Sequence, residues 1–391
     1  MRCFIIMRIF LYCLALTLTF ILPGCSHSDS PADNSVNPDK VERVVLVYAV
    51  NKSTLSPDFG PDQAEMIQAF KETNQNKYQL LLFRTDSDTE CGLYKAVNSG
   101  DATNFELVKK YPRNVAATNP NRIKEVLIDA LAKYPNAIYT LFFWGHGTSW
   151  TYYDNSHLVS VNTPEVYGYG GEITPSHPRG DYTNIDELAD AIPDNRFETI
   201  WFDCCFMSGI ETIYELRNKA RYFVGYPTEV WATGAPYDKI LKWLFQSNPD
   251  LIAAARTFFN SYAGEPATVA VADLSKIEPV ADIASKVYAS GNALPDKSEL
   301  LNYSRGSLPN YYDFRQLLSI TAALNNATYL IDQLDRALDN FILYHAESAT
   351  NFNNKPWNVA NISGVNSHYY SGGFSTSEEY YRSLDWFKRV Y

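Results

Sequence analysis

Apolar residues fall along this chain in short continuous runs rather than in strict alternation. The runs are Val44–Val50 (VVLVYAV), Tyr78–Arg84 (YQLLLFR), Ala137–Trp144 (AIYTLFFW), Glu198–Phe202 (ETIWF), Arg221–Tyr226 (RYFVGY) and Ala267–Ala272 (ATVAVA). Runs of that length, rich in β-branched and aromatic residues, predict strands buried on both faces. Between them lie stretches with helical spacing. Residues 61–73 place Pro61 at a first helical position. Residues 121–134 put Ile123, Val126, Leu127, Ala130 and Leu131 on one face. The alternation predicts an α/β fold: a mostly parallel sheet covered by helices on both sides, with right-handed crossovers. Three further helical patterns, at 276–289, 313–324 and 326–344, make the chain mainly helical from about residue 275. The glycine- and proline-rich stretch 149–184 has no clear period and reads as an insertion or mobile loop. Neither an internal repeat nor a glycine-rich phosphate loop is present.

The N-terminus follows a different rule. Arg2 and Arg8 precede an apolar run from Phe10 to Leu22, which is too short for a comfortable membrane span and has the form of an export signal. It ends in Leu22-Pro23-Gly24-Cys25, which resembles the bacterial motif cut before a lipid-carrying cysteine, with Pro23 where a small residue is usual. The expected organisation is a lipoprotein signal peptide at 1–24, a tether at 25–40 rich in Ser, Asp, Asn and Pro, and a folded body at 41–391. Cys25 is the expected lipidation site. The protein is then exported and held to the cell envelope, in the periplasm or at the cell surface.

Composition narrows the choice further. The 391 residues carry 33 Lys and Arg against 44 Asp and Glu, a net charge of −11. Loss of residues 1–24 removes Arg2 and Arg8, leaving 31 against 44 and a balance of −13. Such a chain lacks the basic face needed to meet phosphate, so a nucleic-acid partner is excluded. Six cysteines in this length are too few for a disulfide scaffold. Cys91 reads as a packing residue.

In open parallel sheets, ligands meet the carboxyl ends of the strands. Two of those ends carry chemistry. One run continues as Trp144-Gly145-His146-Gly147-Thr148-Ser149-Trp150, and another as Asp203-Cys204-Cys205-Phe206-Met207. An imidazole beside a thiol can draw off its proton, and the thiolate is a strong nucleophile. The Gly147 N–H is placed to help bind a developing oxyanion.

The order and spacing of these motifs resemble clostripain, the C11 family of clan CD cysteine peptidases. His146-Gly147-Thr148-Ser149-Trp150 is similar to the family's His-Gly-x-Gly-Trp, with Ser149 in place of a glycine. Asp203-Cys204-Cys205-Phe206-Met207 is similar to Asp-x-Cys-x-Met and puts the nucleophile at Cys205, with Cys204 a buried bystander. Ser208–Leu216, Gly234-Ala235-Pro236-Tyr237-Asp238 and Tyr311-Tyr312-Asp313-Phe314 match family segments, Ala235 replacing an aromatic. The resemblance implies a caspase-like α/β/α sandwich and a cysteine endopeptidase with a catalytic His146–Cys205 pair and protein or peptide substrates. It also implies that Asp203 lies in the substrate-binding pocket and favours Arg or Lys at the cleaved bond. Glu229 and Asp238 are the candidates for a second pocket acid. Self-cleavage between histidine and cysteine is implied too, and Arg179 offers the basic site. The chemistry needs no cofactor; calcium enters by resemblance only, because the sequence shows no calcium-binding loop.

Other readings compete. Asp203 could instead cap the helix after Phe206. Cys204 and Cys205 could close a vicinal disulfide. A zinc site from His146, Cys204 and Cys205 is disfavoured, because adjacent cysteines do not converge on one metal. A non-catalytic surface lipoprotein could keep the fold as a binding module. The sequence assigns no oligomeric state.

Overall fold

The computed structural model describes residues 36–99, 102–154, 168–305, 311–357 and 360–391. The signal segment 1–24 and Cys25 lie outside the described residues. The end of the expected tether already belongs to the body: Val36 packs against the core, and Asn37 caps a 3-10 turn at Pro38–Lys40.

The predicted apolar runs form one sheet. Its strands are β1 (Arg43–Ala49), β2 (Tyr78–Thr85), β3 (Glu90–Ser99), β4 (Ala102–Pro112), β5 (Ile138–Trp144), β9 (Phe197–Asp203), β10 (Ala220–Gly225), β11 (Thr268–Asp273) and β13 (Ile342–Glu347). The spatial order is β13-β11-β10-β9-β5-β1-β2-β3-β4. The five strands from β10 to β2 are mutually parallel, and antiparallel strands extend both edges. β6 (His146–Gly147), β7 (Tyr169–Glu172) and β8 (Asp181–Thr183) make a small second sheet, and β12 (Tyr311–Asp313) pairs with β14 (Asn366–His368).

Successive residues of the central strands feed opposite cores. Val45, Val47, Phe142 and Trp201 pack under α1 (Ser56–Lys71), α5 (Tyr237–Leu244) and α6 (Leu251–Ser261). Leu46, Tyr48, Phe143 and Phe202 face the other layer. That layer holds α2 (Pro120–Lys133), α3 (Ile185–Ala191), α4 (Ile210–Glu215), α7 (Ile277–Ala289), α8 (Phe314–Leu324), α9 (Ile331–Phe341), α10 (Thr376–Ser383) and α11 (Asp385–Val390). This is the expected α/β/α sandwich.

Three expectations are corrected. The first helix begins at Ser56 and carries Pro61 inside it. Pro57 takes the first-turn position, where a missing N–H costs nothing, and Pro61 lies on the exposed face of the helix. The last helical pattern stops at Phe341, and the chain returns to the sheet as β13, pairing with β11. The described parts of the 149–184 stretch are ordered by β7 and β8.

A buried ion pair secures that small sheet. The Arg113 guanidinium meets the Glu172 carboxylate, which also accepts the Ala117 N–H. Glu172 is fully buried. Removing one partner of such a pair strands a charge in low dielectric, at a cost of about 3–5 kcal/mol. Arg113→Ala should lower unfolding free energy by about that amount in urea denaturation; a loss below about 1 kcal/mol would show the pair is not structural.

Candidate active site

The parallel pairing of β5 with β9 sets Trp144 opposite Asp203. Each chain then runs two residues further, one to His146 and the other to Cys205. Both side chains line one cleft of about 130 Å³, together with Trp144, Asp203, Trp231 and Gly234. The sequence-predicted nucleophile, base and pocket acid are thereby brought together.

Gly147 lets the two loops meet. A Cβ there would lie 2.9 Å from Cys204 Cβ, from Cys205 O and from Met207 Cγ, so any side chain would push the histidine and cysteine loops apart. Ser149, which stands where the resemblance has glycine, adopts φ +56°. That left-handed conformation explains the glycine pattern. Here it is supported by a 2.9 Å hydrogen bond between Ser149 Oγ and Thr212 Oγ1. Phe206, directly after Cys205, is also left-handed at φ +60°. Its N–H donates to Thr228 O at 2.7 Å, and its carbonyl accepts from Asn366 Nδ2 at 3.0 Å. Backbone held so tightly in a sparsely populated region fixes where Cys205 points.

The two adjacent cysteines face opposite ways and both are free thiols. Cys204 is fully buried and donates to Phe143 O at 3.2 Å. Cys205 is half-buried in the cleft, where its Sγ accepts the Val230 N–H at 3.4 Å. No vicinal disulfide forms. Burial pushes the Cys205 thiol up to about 11; the Val230 N–H offsets part of this, while Glu229 and Asp203 add to it. Burial pushes the His146 imidazole down. The resting pair is therefore a neutral thiol and a neutral imidazole. His146 Nε2 is engaged by Thr54 Oγ1 at 2.7 Å rather than by Cys205. A Cβ on Gly171 would come within 2.6 Å of the histidine ring, so β7 forms the wall behind it.

Asp203 does not cap the helix after Phe206. Its Oδ2 accepts from Ala235 N and from Tyr237 OH, each at 3.0 Å, which gives the Gly234–Asp238 segment its purpose. Its Oδ1 is buried and has no hydrogen-bond partner. Burial pushes the Asp203 carboxyl up to about 6. Of the two candidate second acids, Glu229 sits beside Val230, salt-bridged to Arg305 Nε at 2.6 Å, with its Oε2 buried and unpartnered. Asp238 lines a separate groove between α1 and α5. Sequence reasoning missed Asp62, whose carboxylate accepts from Trp144 Nε1 at 2.6 Å and lies next to Asp203 across Gly234. The signal was present: Phe59, Asp62, Met66 and Phe70 share the buried face of α1, so an acid occupies a core position.

Tyr311 fastens the histidine loop by donating to Thr148 O. Asp313 caps α8 through Gln316 N at 3.0 Å and accepts Ser363 N at 2.8 Å. Arg179 is exposed in the turn between β7 and β8. Among the described residues no group of three or more His, Cys, Asp or Glu is arranged to hold a metal ion. Also among them, no helix is long and apolar enough to cross a membrane.

The model of the clostripain family, peptidase C11, matches residues 47–389. No curated protein matches the chain. Solved structures do. One is a secreted C11 cysteine protease from Bacteroides thetaiotaomicron in complex with an irreversible peptide inhibitor. It has TM-score 0.76 and 23% identity, over 90% of this chain and 99% of that one. Another is an inactive zymogen C11 protease from Parabacteroides distasonis, with TM-score 0.77 and 23% identity, over 91% and 100%. At that identity the likeness is one of fold, and it covers nearly the whole body. With the family match spanning most of the chain, the protein belongs to the clostripain family and is a cysteine peptidase.

Proposed function

We propose that the protein is an exported endopeptidase in which Cys205 is the nucleophile and His146 the proton carrier, cutting after Arg or Lys. The observation that carries this reading is the shared cleft: His146 and Cys205 at neighbouring strand ends, with the Asp203 carboxyl in the same lining. Substrate binding turns His146 from Thr54 toward the thiol. The imidazole takes the thiol proton as sulfur attacks the scissile carbonyl carbon, and the Gly147 N–H binds the oxyanion. His146 returns that proton to the leaving amine, the C–N bond breaks, and an acyl-enzyme remains. Water, deprotonated by His146, attacks the thioester carbonyl and releases the acid and the thiol. Proton transfer on demand suits a pair that rests neutral.

The peptide inhibitor bound to the Bacteroides protein supports a peptide substrate, and that protein's description as secreted supports export. Asp203 supports a basic residue before the scissile bond through a charge-assisted hydrogen bond. Exposure of Arg179 supports self-cleavage there. The N-terminal pattern supports lipid attachment at Cys25. Calcium has only the family resemblance behind it.

On an arginine-containing fluorogenic peptide, Cys205→Ala should abolish turnover and leave the chain uncut at Arg179. His146→Ala should lower kcat/KM by about 10²–10⁴. Activity surviving Cys205→Ala would sink the assignment, and equal cutting at Arg179 in that variant would sink self-cleavage. Expressed in bacteria, the Cys25→Ala chain should leave the membrane fraction; its retention there would refute lipidation.

A further inference from the structure

The Arg or Lys reading leaves Asp62 unused. It is an acid only 2% exposed, on a helix face otherwise filled by Phe59, Met66 and Phe70. We propose that Asp62 is the second carboxylate of the pocket for the basic side chain, and that the Asp62–Asp203 pair holds one proton when empty and releases it when a guanidinium or ammonium group enters. The inference rests on the specificity proposed above and adds a residue and a proton to it.

Geometry makes the case. Gly234 lines the cleft at φ +56°, and a Cβ there would meet Asp203 Oδ2 at 2.8 Å and Asp62 Oδ2 at 3.3 Å. The two carboxylates close on the bare Gly234 Cα from either side, Asp203 in the lining of the cleft and Asp62 behind it, with their oxygens within about 6 Å of each other. Asp203 is 4% exposed, its Oδ1 makes no hydrogen bond of ordinary geometry, and the Tyr226 hydroxyl on β10 is near enough to favour its charged form. A buried acceptor without a donor costs stability unless a ligand or water supplies one. A cationic side chain would bring the donors and the charge together.

The surroundings explain the proton. The charged groups that act most strongly on Asp62 are all acids: Asp58 and Glu65 on its own helix and Asp203 at the end of β9. Tyr237 on α5 and Tyr262 after α6 are neutral phenols on the other sides, and the Trp144 N–H is its one stabilising donor among these. Glu65 is already spent on Tyr237 N at 2.9 Å. Burial and the Asp203 charge push Asp62 up to about 8, whereas Asp203 sits at about 6. At neutral pH Asp203 is therefore mostly ionised and Asp62 mostly protonated. A bound cation favours both carboxylates, so the Asp62 proton leaves, and binding tightens as pH rises toward 8.

The structural alternative is that Asp62 serves only as the acceptor for Trp144. Asp62→Asn separates the two, because an amide oxygen still accepts that N–H. The test uses the Cys205→Ala protein, which cannot turn over, titrated calorimetrically with agmatine at pH 7 in two buffers of different ionisation enthalpy. Agmatine should bind with release of about one proton. Adding Asp62→Asn should weaken binding at least about tenfold and abolish the release. Equal affinity and equal release in the two proteins would overturn the role of Asp62. In parallel, the arginine-to-citrulline ratio of kcat/KM, with Cys205 present, should fall about tenfold in Asp62→Asn. An unchanged high ratio would defeat the Asp62 inference alone. A ratio near one in the unsubstituted protein, with no agmatine binding, would defeat the basic-residue reading itself and this inference with it.

Discussion

Trp144 and Asp203 are register partners on adjacent parallel strands, and the cleft depends on that pairing. Because β5 and β9 run the same way and finish level, two residues of overhang on each bring the imidazole and the thiol to one edge. A one-residue slip would reverse every side chain of a strand, turning Cys205 inward and Cys204 outward. The register is held by the two cores, since Phe142 and Trp201 stack on one face and Phe143 and Phe202 on the other, each pair at 5.1 Å. Gly147 then permits contact between the two overhangs that no other residue would allow.

Much of the remaining chain acts as a brace for those overhangs. The Gly234–Asp238 segment clasps Asp203 through a backbone N–H and a tyrosine hydroxyl. The C-terminal region is not an appendage. Asn366 donates to the carbonyls of Phe206 and Pro227, each at 3.0 Å, and Ser208 Oγ donates to Gly364 O at 3.2 Å. These bonds hold the left-handed turn after Cys205, which is uphill in isolation. Tyr311 does the same for the histidine loop from the opposite side.

Burial governs the electrostatics of the cleft. It suppresses charge on Cys205 and His146 and crowds Asp62 and Asp203 into sharing a proton. The empty cleft therefore keeps its thiol and imidazole neutral and concentrates a single negative charge on the acid pair.

The central strands were legible in the sequence because strands buried on both faces are continuously apolar. The ribbon of β3 and β4 was not, because most of its positions are exposed or only part-buried and the charged residues Lys95, Glu106, Lys109 and Lys110 break the run. β13 shows why periodicity misleads at an edge: Ile342–Glu347 continues the apolar spacing of α9 while pairing with β11. His146 and Cys205 were readable from local motifs, whereas Asp62 enters the site through tertiary packing and left only one acid on an apolar helix face as a trace. Reaction with a peptidyl chloromethyl ketone ending in arginine, followed by peptide mapping, tests the assignment most directly. A single adduct on Cys205 is expected, with Cys204 and Cys91 unmodified. An adduct on Cys204, or no adduct under reducing conditions, would contradict it.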